Sequence, residues 1–296
     1  MKRHPAASQG GAKPKFPLDL ALIDRALLED APKGDVTTLA TIPEDVVVTA
    51  RLVAKGKTVI AGLPLFEAVF KRLDPEIKTR RLLRDGDVAA KGALVAEVTG
   101  HARAILTAER VALNYMQHLS GVATLTSQFV AAIKGAKTKI LDTRKTTPLM
   151  RDMEKYAVRI GGGFNHRRDL SAMALIKENH IAGAGGVGKA VAAARKRLGA
   201  KSFVEVEVRD LKELGQALDA GADMVLLDNM TAAMAQKAVR FVDGRVETEA
   251  SGNMSLKTVG SYARAGVDYI SVGALTHSAP AADLSLLVER IPAGKA

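Results

Sequence analysis

The sequence has no cysteine and no tryptophan, and phenylalanine and tyrosine together make up only 4% of its 296 residues. Without cysteine there is no disulfide framework, no thiolate metal site and no cysteine nucleophile, which fits a reducing compartment and a cytoplasmic location. The few aromatics are scattered, leaving no stacking platform of the kind that single-strand nucleic-acid binders use. No stretch approaches 18 uninterrupted apolar residues, so no membrane span is expected. The first residues also lack the apolar core of a secretory signal. The six histidines (4, 101, 118, 166, 180 and 277) show no metal-ligand spacing, which argues against a His-bound zinc. No Gly-x-Ser-x-Gly elbow occurs, which disfavours an α/β-hydrolase.

Positive charge, by contrast, is plentiful. Lys and Arg number 43 against 32 Asp and Glu, a net charge of +11. Such an excess calls for an anionic partner: nucleic acid, a membrane surface, or small phosphorylated or carboxylated molecules. Residues 1–15 hold Lys2, Arg3, Lys13 and Lys15 and no acid, which leaves about +7 on the rest. With Pro5, Gly10, Gly11 and Pro14 and no apolar run, this basic tail reads as disordered.

Hydrophobic periodicity divides the remainder. Pro17 to Ala31 reads as an amphipathic helix stopped by Pro32 and Gly34. Short strands follow at Val46–Val53, Thr58–Ile60 and Leu94–Val98, separated by turn signals. Ala102 to about Ala132 is helical, with Arg110, Asn114 and Gln117 as a polar stripe that on its own reads as a solvated face. Beyond residue 137 short apolar runs alternate with helices six or seven times, and a last helix is expected near Ala282–Arg290. The predicted architecture is α/β: an N-terminal α+β domain (16–118, joined by a C-terminal helix at about 281–296) beside an incomplete, open α/β barrel of six to seven parallel strands (119–280).

In such barrels the site forms at the C-terminal ends of the strands. Those ends carry Arg144, Lys145, Lys177, Glu207, Asp228, Ser251, Gly252 and Gly273. The cations suit a polyanion, the carboxylates suit a divalent cation or sugar hydroxyls, and the small residues let backbone N–H groups approach a phosphate. Gly161-Gly-Gly163-Phe-Asn-His166-Arg167-Arg168 is either a solvated basic turn or an open anion cradle. Gly183 to Gly188 matches a dinucleotide-binding glycine pattern, but it does not follow a strand directly; it reads as a flexible glycine loop leading into a helix capped near Gly188.

Several longer motifs, in order, resemble nicotinate-nucleotide pyrophosphorylase (carboxylating), the quinolinate phosphoribosyltransferase family. They are Glu29-Asp30 with Gly34-Asp35-Val-Thr37-Thr38, Glu109-Arg110, Leu119-Ser-Gly121, Asp142-Thr-Arg144-Lys145-Thr-Thr-Pro148 and Gly161 to Arg167. Ile176-Lys177-Glu-Asn-His180, Val204-Glu-Val-Glu207, Leu227-Asp228-Asn, Ala250-Ser251-Gly252-Asn253 and Ser271-Val-Gly273 complete the series. The resemblance implies transfer of phosphoribose from phosphoribosyl pyrophosphate to quinolinate, with loss of pyrophosphate and CO2, to give nicotinate mononucleotide for NAD biosynthesis. It also implies Mg2+ and a head-to-tail homodimer, with no nucleic acid or membrane partner.

By position, the resemblance gives Arg144, His166 and Arg167, with Arg110 from the neighbouring subunit, to the quinolinate carboxylates. Lys145 and Lys177 would lie near the reacting groups, and Lys145 and His277 towards pyrophosphate. Glu207 and Asp228 would meet ribose hydroxyls and the metal; Ser251, Gly252 and Gly273, with Asn253 in the same motif, would seat the 5′-phosphate. Arg51 and Lys55 both compete for a further first-domain cation reaching pyrophosphate. Two other readings stand beside this one: a pyrophosphorylase-like relative of the same fold acting on another anionic acceptor, and a basic nucleic-acid binder, whose cations should line an outer face instead of converging at strand ends.

Overall fold

The computed structural model describes His4 and residues 14–199 and 201–290. The chain divides into two compact units. One holds residues up to 125 from the described start at 14, then 148–161 and the segment from 279 onward; the other holds 126–147 and 162–278, with His4.

The first unit opens with α1 (Leu20–Asp30), capped by the Asp19 carboxylate, which accepts the Leu22 N–H and leaves Ile23 and Leu27 buried. Asp35 caps α2 (Val36–Thr41) in the same way through the Thr38 N–H. Then come β1 (Val47–Ala54), β2 (Thr58–Val59), α3 (Leu63–Leu73), β3 (Lys78–Arg81), β4 (Val88–Ala89), β5 (Leu94–His101) and α4 (Ala102–Ala132). In β1 buried and half-buried residues alternate, as a one-sided sheet requires. The α4 helix is continuous across the boundary expected at 118–119; its residues to 125 belong to this unit and the rest to the other.

The second unit is built from β-then-α repeats. After β6 (Lys139–Leu141) the chain forms α5 (Arg151–Ile160), which groups with the first unit. Next are β7 (Ala174–Ile176), α6 (Glu178–Ala184), α7 (Val187–Leu198), β8 (Val204–Val208), α8 (Leu211–Asp219), β9 (Met224–Asp228) and α9 (Ala232–Val242). β10 (Glu247–Ser251), α10 (Val259–Ala265), β11 (Tyr269–Ser271) and α11 (Ala274–His277) complete it. The six strands form one parallel sheet in the order β6-β11-β10-β9-β8-β7, so β6 and β7 are its two edges. This is the open α/β barrel expected from the sequence; the first unit has an antiparallel sheet of its own. No described helix is long and apolar enough to cross a membrane.

Two expectations are corrected. The predicted last helix is instead β12 (Leu284–Arg290), which pairs antiparallel with β1 from Val48 opposite Arg290 to Ala54 opposite Leu284. The sheet order β12-β1-β5-β3 shows the cause: β5 covers only one edge of β1, and the leucine-rich segment fills the other. Leu284 and Leu286 turn inward at strand spacing, and Gln117 donates to the Leu284 carbonyl at 2.8 Å, so part of the supposed solvated stripe on α4 serves this strand. Gly183–Gly188 is not a flexible loop but the junction of α6 and α7, where Gly185 and Gly186 take positive φ. Of the tail read as disordered, only His4, Pro14 and Lys15 are described; His4 is buried, its ring against His166, Phe203 and Tyr269 and its N–H on Glu247.

Candidate active site

Side chains alternate across a strand, so residues two apart share a face. Along the barrel strands the inward face reads Leu175 and Lys177, Leu226 and Asp228, Glu249 and Ser251, Ser271 and Gly273, with Glu207 from β8. These line one cavity of about 820 Å³ within the barrel unit. Arg144, Lys145, His166, Arg167, Asn253 and His277 close it, so twelve of the thirteen anticipated site residues converge there. The exception is Arg110, exposed on α4 in the other unit. Arg51 is paired with Glu289 at 2.9 Å, and neither it nor Lys55 lines the cavity.

The basic turn proves to be structural as well as chemical. Phe164 bridges to Leu141 of β6, and the Arg167 guanidinium donates to the Met173 carbonyl just ahead of β7. Residues 164–167 therefore tie the two edges of the open sheet and carry His166 and Arg167 into the interior. Asp142, buried at the end of β6, accepts the His166 N–H at 2.8 Å. Burial and the nearby Arg144 guanidinium pull Arg167 below the usual arginine range. Clustered cations of this kind are stored repulsion that an anion relieves.

At the opposite side Lys177 reaches Glu207 at 2.6 Å. Burial and the Glu207 charge raise the Asp228 pKa, against the help of the Asn229 amide at 2.9 Å. Two carboxylates on adjacent strands, one of them pushed towards its neutral form, make a donor set that a hard divalent cation fits. On the next strand Gly252 has φ +107°, and a Cβ there would collide with the Asn229 side chain. A Cβ on Gly273 would crowd Lys145 and His277, which fold over it. The Gly252 turn thus needs glycine, and both turns leave the backbone open to a phosphate. The Lys145 carbonyl accepts the Thr276 hydroxyl at 2.7 Å, which ties the β6 loop to α11.

Sequence reasoning missed Glu205 and Glu249, which lie deeper. The signal was present: Val204-Glu-Val-Glu207-Val alternates strictly, so Glu205 points the same way as Glu207, and Glu249 the same way as Ser251. Both are fully buried beneath His166, whose Nε2 lies 3.2 Å from Glu205 and 3.4 Å from Glu249. Burial opposes charge on that ring, but Glu249 and Glu205 favour a proton on the nitrogen that faces them.

An open barrel whose strand ends gather cations, paired carboxylates and glycine turns in one cavity is that of a pentosyltransferase, an enzyme acting on small phosphorylated molecules. The family description "Quinolinate phosphoribosyl transferase" matches residues 35–120 by its N-terminal domain and 122–287 by its C-terminal domain, and the chain belongs to that family. It is 44% identical to the chloroplastic nicotinate-nucleotide pyrophosphorylase [carboxylating] of Arabidopsis thaliana, over 95% of this chain and 86% of that protein. It is 39% identical to the probable nicotinate-nucleotide pyrophosphorylase [carboxylating] of Bacillus subtilis, over 90% of this chain and 91% of that protein. Among solved structures, the nicotinate-nucleotide pyrophosphorylase of Francisella tularensis superposes with a TM-score of 0.89 at 44% identity, covering 95% of this chain and all of that one. NadC from Streptococcus pyogenes gives 0.89 at 40%, covering 94% and all of that chain.

Proposed function

We propose that this chain joins quinolinate to phosphoribosyl pyrophosphate, releasing pyrophosphate and CO2 and leaving nicotinate mononucleotide. The observation that carries this is the sorting of charge in the cavity: cations on β6 and the 164–167 turn, carboxylates on β8 and β9, glycine turns after β10 and β11. Arg144 and Arg167, with His166 beside them, take the two carboxylates of the acceptor; the guanidinium fork suits planar carboxylates. Ser251, Gly252, Asn253 and Gly273 seat the 5′-phosphate. Lys145 and His277 face the departing pyrophosphate, and Lys177 the reacting groups. Glu207 and Asp228 hold the ribose hydroxyls and would ligate Mg2+. The bound ion would supply neutralisation of the charge that gathers on pyrophosphate.

The pyridine nitrogen forms a bond to the ribose C1 as the bond from C1 to pyrophosphate breaks. Positive charge on the sugar peaks between the two events, so alignment and charge stabilisation supply most of the rate. CO2 then leaves from the ring carbon next to the nitrogen. The electron pair stays on that carbon, stabilised by the cationic nitrogen, until a proton is taken up. No side chain has to act as a nucleophile.

Arg110, exposed and outside the cavity, supports a homodimer in which each subunit completes its neighbour's acceptor end. The primary test is an assay of purified protein with Mg2+, quinolinate and phosphoribosyl pyrophosphate, with nicotinate mononucleotide as the expected product. Turnover of another base with none of quinolinate would sink the assignment and favour the pyrophosphorylase-like relative with a different acceptor. Mixed Arg110→Ala and Lys177→Ala subunits, each inactive alone, should regain part of the activity; no recovery after demonstrated exchange argues against a shared site.

A further inference from the structure

Glu205 and Glu249 are two fully buried carboxylates that the reaction above does not use. They sit one inward position below Glu207 and Ser251 on strands flanking β9, and both face the same nitrogen of His166. The other ring nitrogen, Nδ1, lies 2.7 Å from the Arg167 backbone N–H, which donates to it. Both nitrogens of His166 are thus engaged inside the protein, one with the cavity floor and one with the backbone of the neighbouring arginine.

We propose that the Glu205–Glu249 pair is a positioning device for the acceptor end: it grips His166 through the Nε2 proton and thereby fixes the backbone from which Arg167 extends. The proposal rests on the functional reading only in calling that end the acceptor end. A carboxylate accepts but cannot donate, so a pair of them facing one ring nitrogen selects the form that carries a proton there. That leaves Nδ1 to take the Arg167 N–H. The grip is strong because the groups are dry: taking the donor away leaves a buried carboxylate charge without a partner, whereas an exposed carboxylate simply rehydrates.

The other charged or titratable groups around the ring are few. Asp142 holds the His166 N–H, and Arg167 follows in the chain. The His4 ring lies 5.1 Å away; burial, helped by His166 and Lys139 and opposed by Glu249, lowers its pKa to about 4, so it stays neutral over the working range. Glu247 accepts the His4 N–H through one carboxylate oxygen and the Tyr269 hydroxyl through the other. A ring nitrogen of His4 lies within 4.8 Å of both a His166 nitrogen and a Glu205 carboxylate oxygen.

Two measurements on the full-length protein test this. The first is 15N NMR of the histidine rings, with His166 assigned by comparison with His166→Asn. Wild type should keep its proton on Nε2 from pH 6 to 9, whereas in Glu249→Gln and Glu205→Gln the ring should titrate or exchange between tautomers within that window. This readout needs no substrate, so it stands or falls separately from the functional assignment. The second is kinetic: at least one Gln variant should raise the quinolinate KM about tenfold or more, leave the phosphoribosyl pyrophosphate KM within about twofold, and change kcat much less. Glu249→Asp should recover part of the loss. A purely structural role lowers Tm without this split between substrates. The proposal is overturned if folded Gln variants keep the wild-type ring signal, or if their quinolinate KM does not move.

Discussion

The mouth and the floor of the barrel use the same side-chain chemistry to opposite ends. At the mouth Lys177 and Glu207 pair at 2.6 Å, but the lysine is 46% exposed. At the floor His166 meets Glu205 and Glu249 at 3.2 and 3.4 Å with none of the three more than 7% exposed. The exposed pair is worth little by itself and can trade its partner for a substrate group. The buried set cannot be opened without stranding charge, so it serves as a mount. Distance alone does not separate the two; access to water does.

The comparison breaks most visibly at the cations. Arg144→Ala should lower kcat/KM for quinolinate by about 3 kcal/mol, roughly a hundredfold, because it removes a charge meant for the substrate. Its Tm should hardly change, since relieving repulsion between Arg144 and Arg167 offsets the lost packing. A large fall in Tm with unchanged kinetics would place Arg144 with the mount instead of the mouth.

A smaller effect is expected at the phosphate turn. Gly252→Ala puts a Cβ into the Asn229 side chain at φ +107°, and should cost about 1–3 kcal/mol of stability in denaturant titrations. Asn229 leans on Asp228 through a 2.9 Å hydrogen bond, so the phosphoribosyl pyrophosphate KM should rise and the quinolinate KM should not. Equal shifts in both would erase the distinction between the two ends of the cavity.

The smallest effect sharpens the picture at the carboxylates. The Asp228 pKa is raised in the folded state, first by burial and then by Glu207. The unfolded chain therefore gives up this proton more readily, and stability is lost as pH rises from the ordinary aspartate range through the raised folded value. At neutral pH Asp228→Asn removes that penalty, so Tm should rise slightly while activity falls. The Tm difference should vanish in acid, and its persistence there would assign the gain to another cause.

Much of this was legible in the residues. The β-then-α rhythm after residue 137 reported the parallel barrel, and the small, cationic and acidic residues closing each apolar run reported the mouth. Glu205 was legible in principle, since Val-Glu-Val-Glu-Val can only put both glutamates on one face. It went unread because a buried carboxylate makes sense only once its partner is known, and His166 is 39 positions earlier in the chain. The early part of the tail shows the same limit: a single histidine among Pro, Ser and Gly carries no signal that it will be buried against His166 and Tyr269. The net charge of +11 gains meaning in the same way, as a set of cations drawn into one cavity instead of a basic outer face.

Periodicity, caps and turn residues are local, so the sequence by itself determined α1, β1, β2, β5 and α4, the β-then-α order of the barrel, and which face of its strands looks inward. Tertiary structure decided what depends on a distant partner. Leu284-Ser-Leu-Leu-Val is at least as good a helix as a strand on propensity, and only the open edge of β1 made it β12. Likewise, only the depth of the barrel turned Glu205, Glu249 and His166 from solvated side chains into a locked set, because the cost of separating charges depends on the water around them, and the sequence does not specify where that water is.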